Sequence, residues 1–150
     1  TFVLAVLDDN TGAVQMISAG HGPTLLYRAA TGEVISYGGD GVPLGVNPSE
    51  RYGPITTVTM EPDDVLVMLT DGFFEGMRPD EQIFGTERLS QALRDQATLG
   101  SASLILNAID DAVRAFCAGA PQFDDMTAVV VRRIGRTAAP AQQPKGLNST

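Results

Sequence analysis

The stretches Val65-Leu66-Val67-Met68-Leu69-Thr70-Asp71-Gly72-Phe73 and Phe123-Asp124-Asp125-Met126-Thr127-Ala128-Val129-Val130-Val131 say most about how this chain folds. Each joins an apolar, strand-like run to a carboxylate. In the first, a run that reads as a buried strand gives way at once to Asp71-Gly72. In the second, Asp124-Asp125 lead into a run rich in β-branched residues, which favour strands. Sheet ends are rigid, so carboxylates placed there can converge on one point. Two convergent carboxylates repel unless a proton or a cation lies between them. Hard oxygen ligands suit magnesium or manganese. The pattern predicts a metal-dependent enzyme with Asp71 and Asp124-Asp125 near its centre.

Outward from these motifs, the rest of the chain reads as strands, then two helices, then a strand. Residues 2–7 and 13–18 form a hairpin pattern about the polar turn Asp8-Asp9-Asn10-Thr11-Gly12. A second hairpin pairs residues 24–28 with 33–37 across Ala29-Ala30-Thr31-Gly32. The Gly/Pro-rich stretch from Gly38 to Pro48 reads as irregular loop. Ile55 to Met60 alternates as a half-buried strand, and Glu61-Pro62-Asp63-Asp64 turns tightly into the strand from Val65. The period then changes. Thr86 is the expected N-cap of a helix running to about Ala97. Ser101 or Ser103 caps a second helix to about Phe116, with Leu104, Ile105, Ala108, Ile109, Ala112, Val113 and Phe116 on one face. Gly119-Ala120-Pro121 ends it, and a final strand runs to Ile134. This order predicts an α+β layered fold. From Gly135 on, the composition cannot bury a core, and residues 135–150 read as a disordered tail.

Composition narrows the function. The chain has 150 residues, one domain's length, and 43% hydrophobic content suits a globular core. The net charge is −8 and no Lys/Arg cluster occurs, which argues against binding nucleic acid or an anionic membrane surface. A single cysteine, Cys117, excludes an internal disulfide and a cysteine-based zinc site, and fits a reducing, cytoplasmic setting. Cys117 falls in an apolar helical pattern and reads as a small core residue. No run reaches transmembrane length and no signal peptide is evident. The chain opens at Thr1 within a strand pattern, as the interior of a domain would.

Each motif has a plainer reading. An Asp-Gly pair after a strand is a common turn, and Asp124-Asp125 alone could be a solvated loop. It is their pairing at strand ends that favours chemistry. His21, in Ser18-Ala19-Gly20-His21-Gly22-Pro23, reads first as a hydrogen-bonding residue that fixes a turn, with a ligand or general-acid role second. The glycines around it, and those of Gly38–Gly45, lack the context of a nucleotide-binding loop. Thr1 offers a rival, the nucleophile of an amine-assisted amidohydrolase. Such an enzyme needs a lysine nearby, and the only one is Lys145.

Taken in order, Ser18-Ala19-Gly20-His21-Gly22-Pro23, Gly41-Val42-Pro43-Leu44-Gly45-Val46, Thr70-Asp71-Gly72-Phe73-Phe74-Glu75, Ile83-Phe84-Gly85-Thr86-Glu87-Arg88-Leu89 and Asp124-Asp125-Met126-Thr127-Ala128-Val129-Val130-Val131 resemble the bacterial branch of the PPM/PP2C-type serine/threonine phosphatases. Within it they are most similar to the regulatory phosphatases of the sporulation stage II protein E type. The resemblance covers about residues 1 to 134. It implies an α/β/β/α sandwich with a dinuclear manganese or magnesium centre, in which Asp71 and Asp124 are metal ligands. Asp125 takes a place where relatives outside this branch often carry asparagine, and with Gly72 and His21 it is assigned beside the ligands rather than among them. The family's first metal motif, a Gly-Asp segment on an early strand, has no counterpart here. Residues 1–134 thus resemble the C-terminal part of the domain, incomplete at its N-terminal side, and the expectation is that they are inactive alone.

The activity so implied is hydrolysis of phosphoserine or phosphothreonine by a cation-activated water, without a phosphoenzyme. The implied substrate is a phosphorylated anti-sigma-factor antagonist within a partner-switching circuit. The alternative is a non-catalytic phosphatase-like module that only binds regulatory proteins. An upstream Gly-Asp motif would favour the enzyme, and its replacement by uncharged residues the binding module.

Overall fold

A computed structural model describes residues 1–39, 41–122 and 124–135. The reading of residues 135–150 as a tail therefore falls, beyond Gly135, outside the described residues.

Two antiparallel sheets and two helices form the fold. The first sheet orders its strands β1 (Phe2–Leu7), β2 (Ala13–Ala19) and β5 (Thr56–Thr59) as β1-β2-β5. The second contains β3 (Thr24–Arg28), β4 (Glu33–Tyr37), β6 (Val65–Leu69) and β7 (Ala128–Arg132) in the order β4-β3-β6-β7. Helices α1 (Gly85–Gln96) and α2 (Ala102–Cys117) pack on one another and on this second sheet. The result is sheet on sheet on helices, which agrees with the expected α+β layering.

Strand periodicity explains the two cores. Successive side chains point to opposite faces of a sheet. Leu25, Tyr27, Val65, Val67 and Leu69 face the helices, where they meet Leu89, Leu93, Ile105, Ile109 and Val113. Their alternates Leu26 and Leu66 face the first sheet and pack with Val14, Met16, Val58 and Met60. The second sheet is buried on both sides, so β6 reads as a continuous apolar run rather than an alternating one. At the first hairpin, the Asn10 and Thr11 amides donate to Asp8 Oδ1, and these bonds hold the Asp8 carboxyl below its usual range.

The second hairpin and β6 lie where the sequence places them, but the helix starts and strand ends need correction. Phe84, not Thr86, occupies the N-cap position of α1, with no side-chain cap. The reason is packing. Phe84 is buried in an edge-to-face contact with Phe116, and its amide donates to Gly76 O at 2.7 Å, so tertiary anchoring sets the helix start. Ser101 does cap α2, accepting from the Leu104 amide at 3.2 Å. Leu104 itself is 52% exposed and lies off the buried face of Ile105, Ile109 and Val113. Cys117 is only half-buried, packed against the edge of the helical core. The last strand stops at Arg132 rather than Ile134.

Candidate functional site

The two acidic motifs meet because β6 and β7 are neighbours. Leu69 pairs with Ala128, and the ladder continues one step as the Thr70 amide donates to Thr127 O at 2.9 Å. The Thr70 side chain then takes over. Its hydroxyl donates to Asp125 O at 2.7 Å and accepts from the Thr127 amide at 2.9 Å. One hydroxyl thereby ties the end of β6 to the backbone of the second motif.

Asp71 follows directly and opens a short 3-10 turn, Asp71–Phe73, in which its carbonyl accepts from the Phe74 and Glu75 amides. Phe73 is buried in the helical core and anchors this turn, while the Asp71 side chain stays exposed. Gly72 is buried against the second motif. A Cβ there would lie 2.7 Å from Asp125 O and 3.2 Å from Asp124 O, so only glycine permits this approach. Across the gap, Asp124 is exposed, its Oδ1 accepts from the Asp125 amide at 2.7 Å, and Gln122 Nε2 donates to its carbonyl at 2.8 Å. Among the described residues, none of Asp71, Asp124 and Asp125 forms an ion pair.

Exposed carboxylates on two backbones held in contact, with no ion-pair partner among the described residues, suit a hard divalent ion. Magnesium in particular keeps several waters and takes only one or two protein carboxylates. Asp71 and Asp124 are the two carboxylates that would hold such an ion, as a partial ligand set. Among the described residues, no group of three or more His, Cys, Asp or Glu side chains is gathered to hold an ion.

The other expected residues are placed as follows. Asp125 lends its carbonyl to Thr70, and its side chain is exposed. His21 fixes its turn through its backbone: Ser18 Oγ donates to His21 O at 2.5 Å, and the His21 amide donates back to Ser18 Oγ at 3.1 Å. Its Nδ1 lies 3.4 Å from Thr1 Oγ1, and the residue borders an edge cleft shared with Thr70 and Thr127. Lys145, which the amidohydrolase reading of Thr1 would need, lies outside the described residues. Two features escaped sequence reasoning. One is Thr70 as the clamp between the motifs, whose only signal was a hydroxyl residue at the strand end. The other is a cavity of about 530 Å³ beside Gly72 and Asp124, which joins residues distant in sequence.

Known proteins share this architecture. The phosphatase domain of the cell fate determinant SpoIIE from Bacillus subtilis, presoaked with Mn, superposes with a TM-score of 0.70 at 21% identity, over 93% of this chain and 59% of that one. The SiaA-PP2C domain of Pseudomonas aeruginosa gives a TM-score of 0.73 at 21% identity, over 87% and 50% respectively. The RsbU and RsbW domains of Rv1364c from Mycobacterium tuberculosis give 0.68 at 24% identity, over 88% and 35%. Protein IcfG of Synechocystis sp. is 28% identical over 133 residues, which are 89% of this chain but 20% of that protein. The chain thus spans about a fifth of this curated relative and three-fifths or less of these structures. The model of the Stage II sporulation protein E (SpoIIE) family matches residues 1–134, and the chain belongs to that family of PP2C-type phosphatases.

Proposed function

We propose that residues 1–134 are the C-terminal part of a phosphatase domain whose activity depends on Mn²⁺ or Mg²⁺, with Asp71 and Asp124 holding the cation. The observation that carries this reading is the Thr70 clamp, which brings the Asp71 turn and the Asp124-Asp125 backbone into contact. Bound divalent cations supply the Lewis acidity that offsets charge on a phosphoryl group. The chain's own residues provide the frame. Gly72 admits the close approach of the two motifs, Asp125 fixes the register through its carbonyl, and His21 stands at the adjoining cleft. The remaining ligands of a dinuclear centre come from outside these 150 residues, so the chain alone is inactive.

The proposed substrate is phosphoserine or phosphothreonine on a regulatory protein, an anti-sigma-factor antagonist in a cytoplasmic partner-switching circuit. Membership of the SpoIIE family supports a signalling role. No described helix is long and apolar enough to cross a membrane. The rival reading, a phosphatase-like module that only binds regulators, draws on the absence of a three-ligand group among the described residues. Hydrolysis of p-nitrophenyl phosphate by the full-length protein separates the two. Turnover that needs Mn²⁺ or Mg²⁺ and stops on chelation supports the enzyme. Turnover undiminished by exhaustive chelation, or none with either metal, overturns it. Residues 1–150 assayed alongside should show little or no turnover.

A further inference from the structure

We infer that the cavity beside Asp124 is a subsite for an apolar side chain flanking the phosphorylated residue of the protein substrate. The inference rests on the phosphatase reading and adds to it what is recognised next to the phosphate.

Position comes first. The cavity lies between the turn after β6, the last turn of α2 and the loop before β7, and Gly72 and Asp124 are in its wall. It is therefore continuous with the carboxylate site, and a peptide whose phosphoryl group reaches Asp71 and Asp124 lays its neighbouring residues across the cavity mouth. The floor is closed by the turn packing on α2: a Cβ on Gly76 would lie 3.0 Å from Val113 Cγ1 and 3.1 Å from Cys117 Sγ.

Lining chemistry selects the occupant. Met77, Ile83, Pro121 and Met126 make the wall mostly apolar, and Ile83 is left 54% exposed. The charged groups at the cavity do not suit a second anion. Glu75 and Asp124 are acidic, and the one cation among the lining residues, Arg114, is already paired with Asp110 at 2.7 Å. At about 530 Å³ the cavity falls within the 300–1,000 Å³ range of ligand pockets, ample for a Leu, Ile, Met or Phe side chain. An apolar side chain there would leave water while its peptide backbone stayed at the surface.

The test uses the full-length protein with Mn²⁺, p-nitrophenyl phosphate, and phosphoserine peptides in which a single Leu is moved through the positions flanking phosphoserine in a Gly/Ser background. One Leu position is expected to raise kcat/KM about tenfold or more, the scale of burying one such side chain. Ala120→Trp, at a half-buried loop position in the cavity wall, should abolish that preference and leave p-nitrophenyl phosphate turnover unchanged. The preferred peptide should also protect Cys117 of the unmutated protein from N-ethylmaleimide, read by mass spectrometry, so that a misfolded variant does not decide the matter. Turnover of p-nitrophenyl phosphate with no Leu preference, or a preference that survives Ala120→Trp with Cys117 unprotected, overturns the subsite and spares the phosphatase reading. Protection of Cys117 by free leucine or other small apolar molecules but not by the peptide assigns the cavity to a small ligand and also overturns it. No phosphomonoester turnover on any substrate defeats the phosphatase reading and the subsite with it.

Discussion

Thr70 and Thr127 close a two-bond ring: the Thr70 amide donates to Thr127 O at 2.9 Å, and the Thr127 amide donates to Thr70 Oγ1 at 2.9 Å. The same hydroxyl donates onward to Asp125 O at 2.7 Å. A strand pair ordinarily frays past its last ladder bond, yet here the side chain carries the order one residue further, to where the carboxylates begin. Thr70→Val keeps the β-branched shape and removes the hydroxyl, leaving the Thr127 amide without its acceptor. The expected stability loss is about 1 kcal/mol, because Thr127 is exposed and its freed amide can turn to water. Mn²⁺ affinity, read by electron paramagnetic resonance on the full-length protein, should fall about tenfold, the size seen when a group that orients metal ligands is removed. Thr70→Ser should restore both. Equal Mn²⁺ affinity in Thr70→Val and the unmutated protein would show that the clamp does not position the site.

Gly72 tests the same contact from the other side. Its missing side chain is what lets the turn lie on the Asp124-Asp125 backbone. In Gly72→Ala the new methyl would sit 2.7 Å from Asp125 O, a distance that backbone must relieve by moving. Because the turn remains anchored by Phe73, the movement should fall on the second motif. The expected result is a cooperative thermal transition close to that of the unmutated protein together with weakened Mn²⁺ binding. Unchanged binding would mean that the approach of the two backbones is incidental to the site.

Much of this was legible in the sequence because the relevant signals are local. Alternation and turn residues set the hairpins, helical spacing set the buried face of α2, and β6 stood out as an apolar run because both its faces are covered. What the sequence hid was non-local. The start of α1 follows from Phe84 docking on Phe116 and on Gly76, which overrides the capping preference of Thr86. Leu104 sits at helical spacing but just beyond the edge of the packed stripe. The Thr70 clamp spans 55 residues to Asp125, and no periodicity encodes a hydroxyl's partner at that separation. Asp71 and Asp124 were visible because a carboxylate beside an apolar run is conspicuous. Their mutual placement depended on β6 and β7 being neighbours.

Asp64 shows how a carboxylate of the same chain can be purely structural. It is 1% exposed, and its oxygens accept from Arg28 Nη1, the Ala29 amide and the Glu61 amide, each at 2.8 Å. These three donors tie the β3–β4 hairpin to the turn that leads into β6. Removing the carboxylate takes the acceptor from two backbone amides and from a guanidinium that is itself 24% exposed, and hydrogen bonds to a charged group are worth about 1.5–3 kcal/mol each. Asp64→Ala should therefore lower the midpoint of chemical denaturation sharply. Protein that remains folded should keep its Mn²⁺ affinity, since Asp64 lies at the opposite end of β6 from Asp71. A large loss of Mn²⁺ affinity in the folded fraction would mean that this pair reaches the site after all.

Asp71 and Asp124 should behave as one unit. If they share an ion, either substitution disables its binding, and the second removes little that is left. Groups that act together are non-additive in this way. Asp71→Asn and Asp124→Asn should each lower metal-dependent turnover by orders of magnitude with the fold intact. The double variant should be only slightly worse than either. Without metal, both single variants should be as stable as the unmutated protein, because the exposed carboxylates have no ion-pair partner among the described residues to lose. Asp125→Asn should be milder, since the contact that ties Asp125 to the site runs through its backbone carbonyl to Thr70 Oγ1. The measurement is a double-mutant cycle in the full-length protein, with Mn²⁺ affinity recorded beside the rate. Losses that multiply independently, with Mn²⁺ binding unchanged in each variant, would show that the two aspartates do not share an ion, and the proposed centre would have to lie elsewhere.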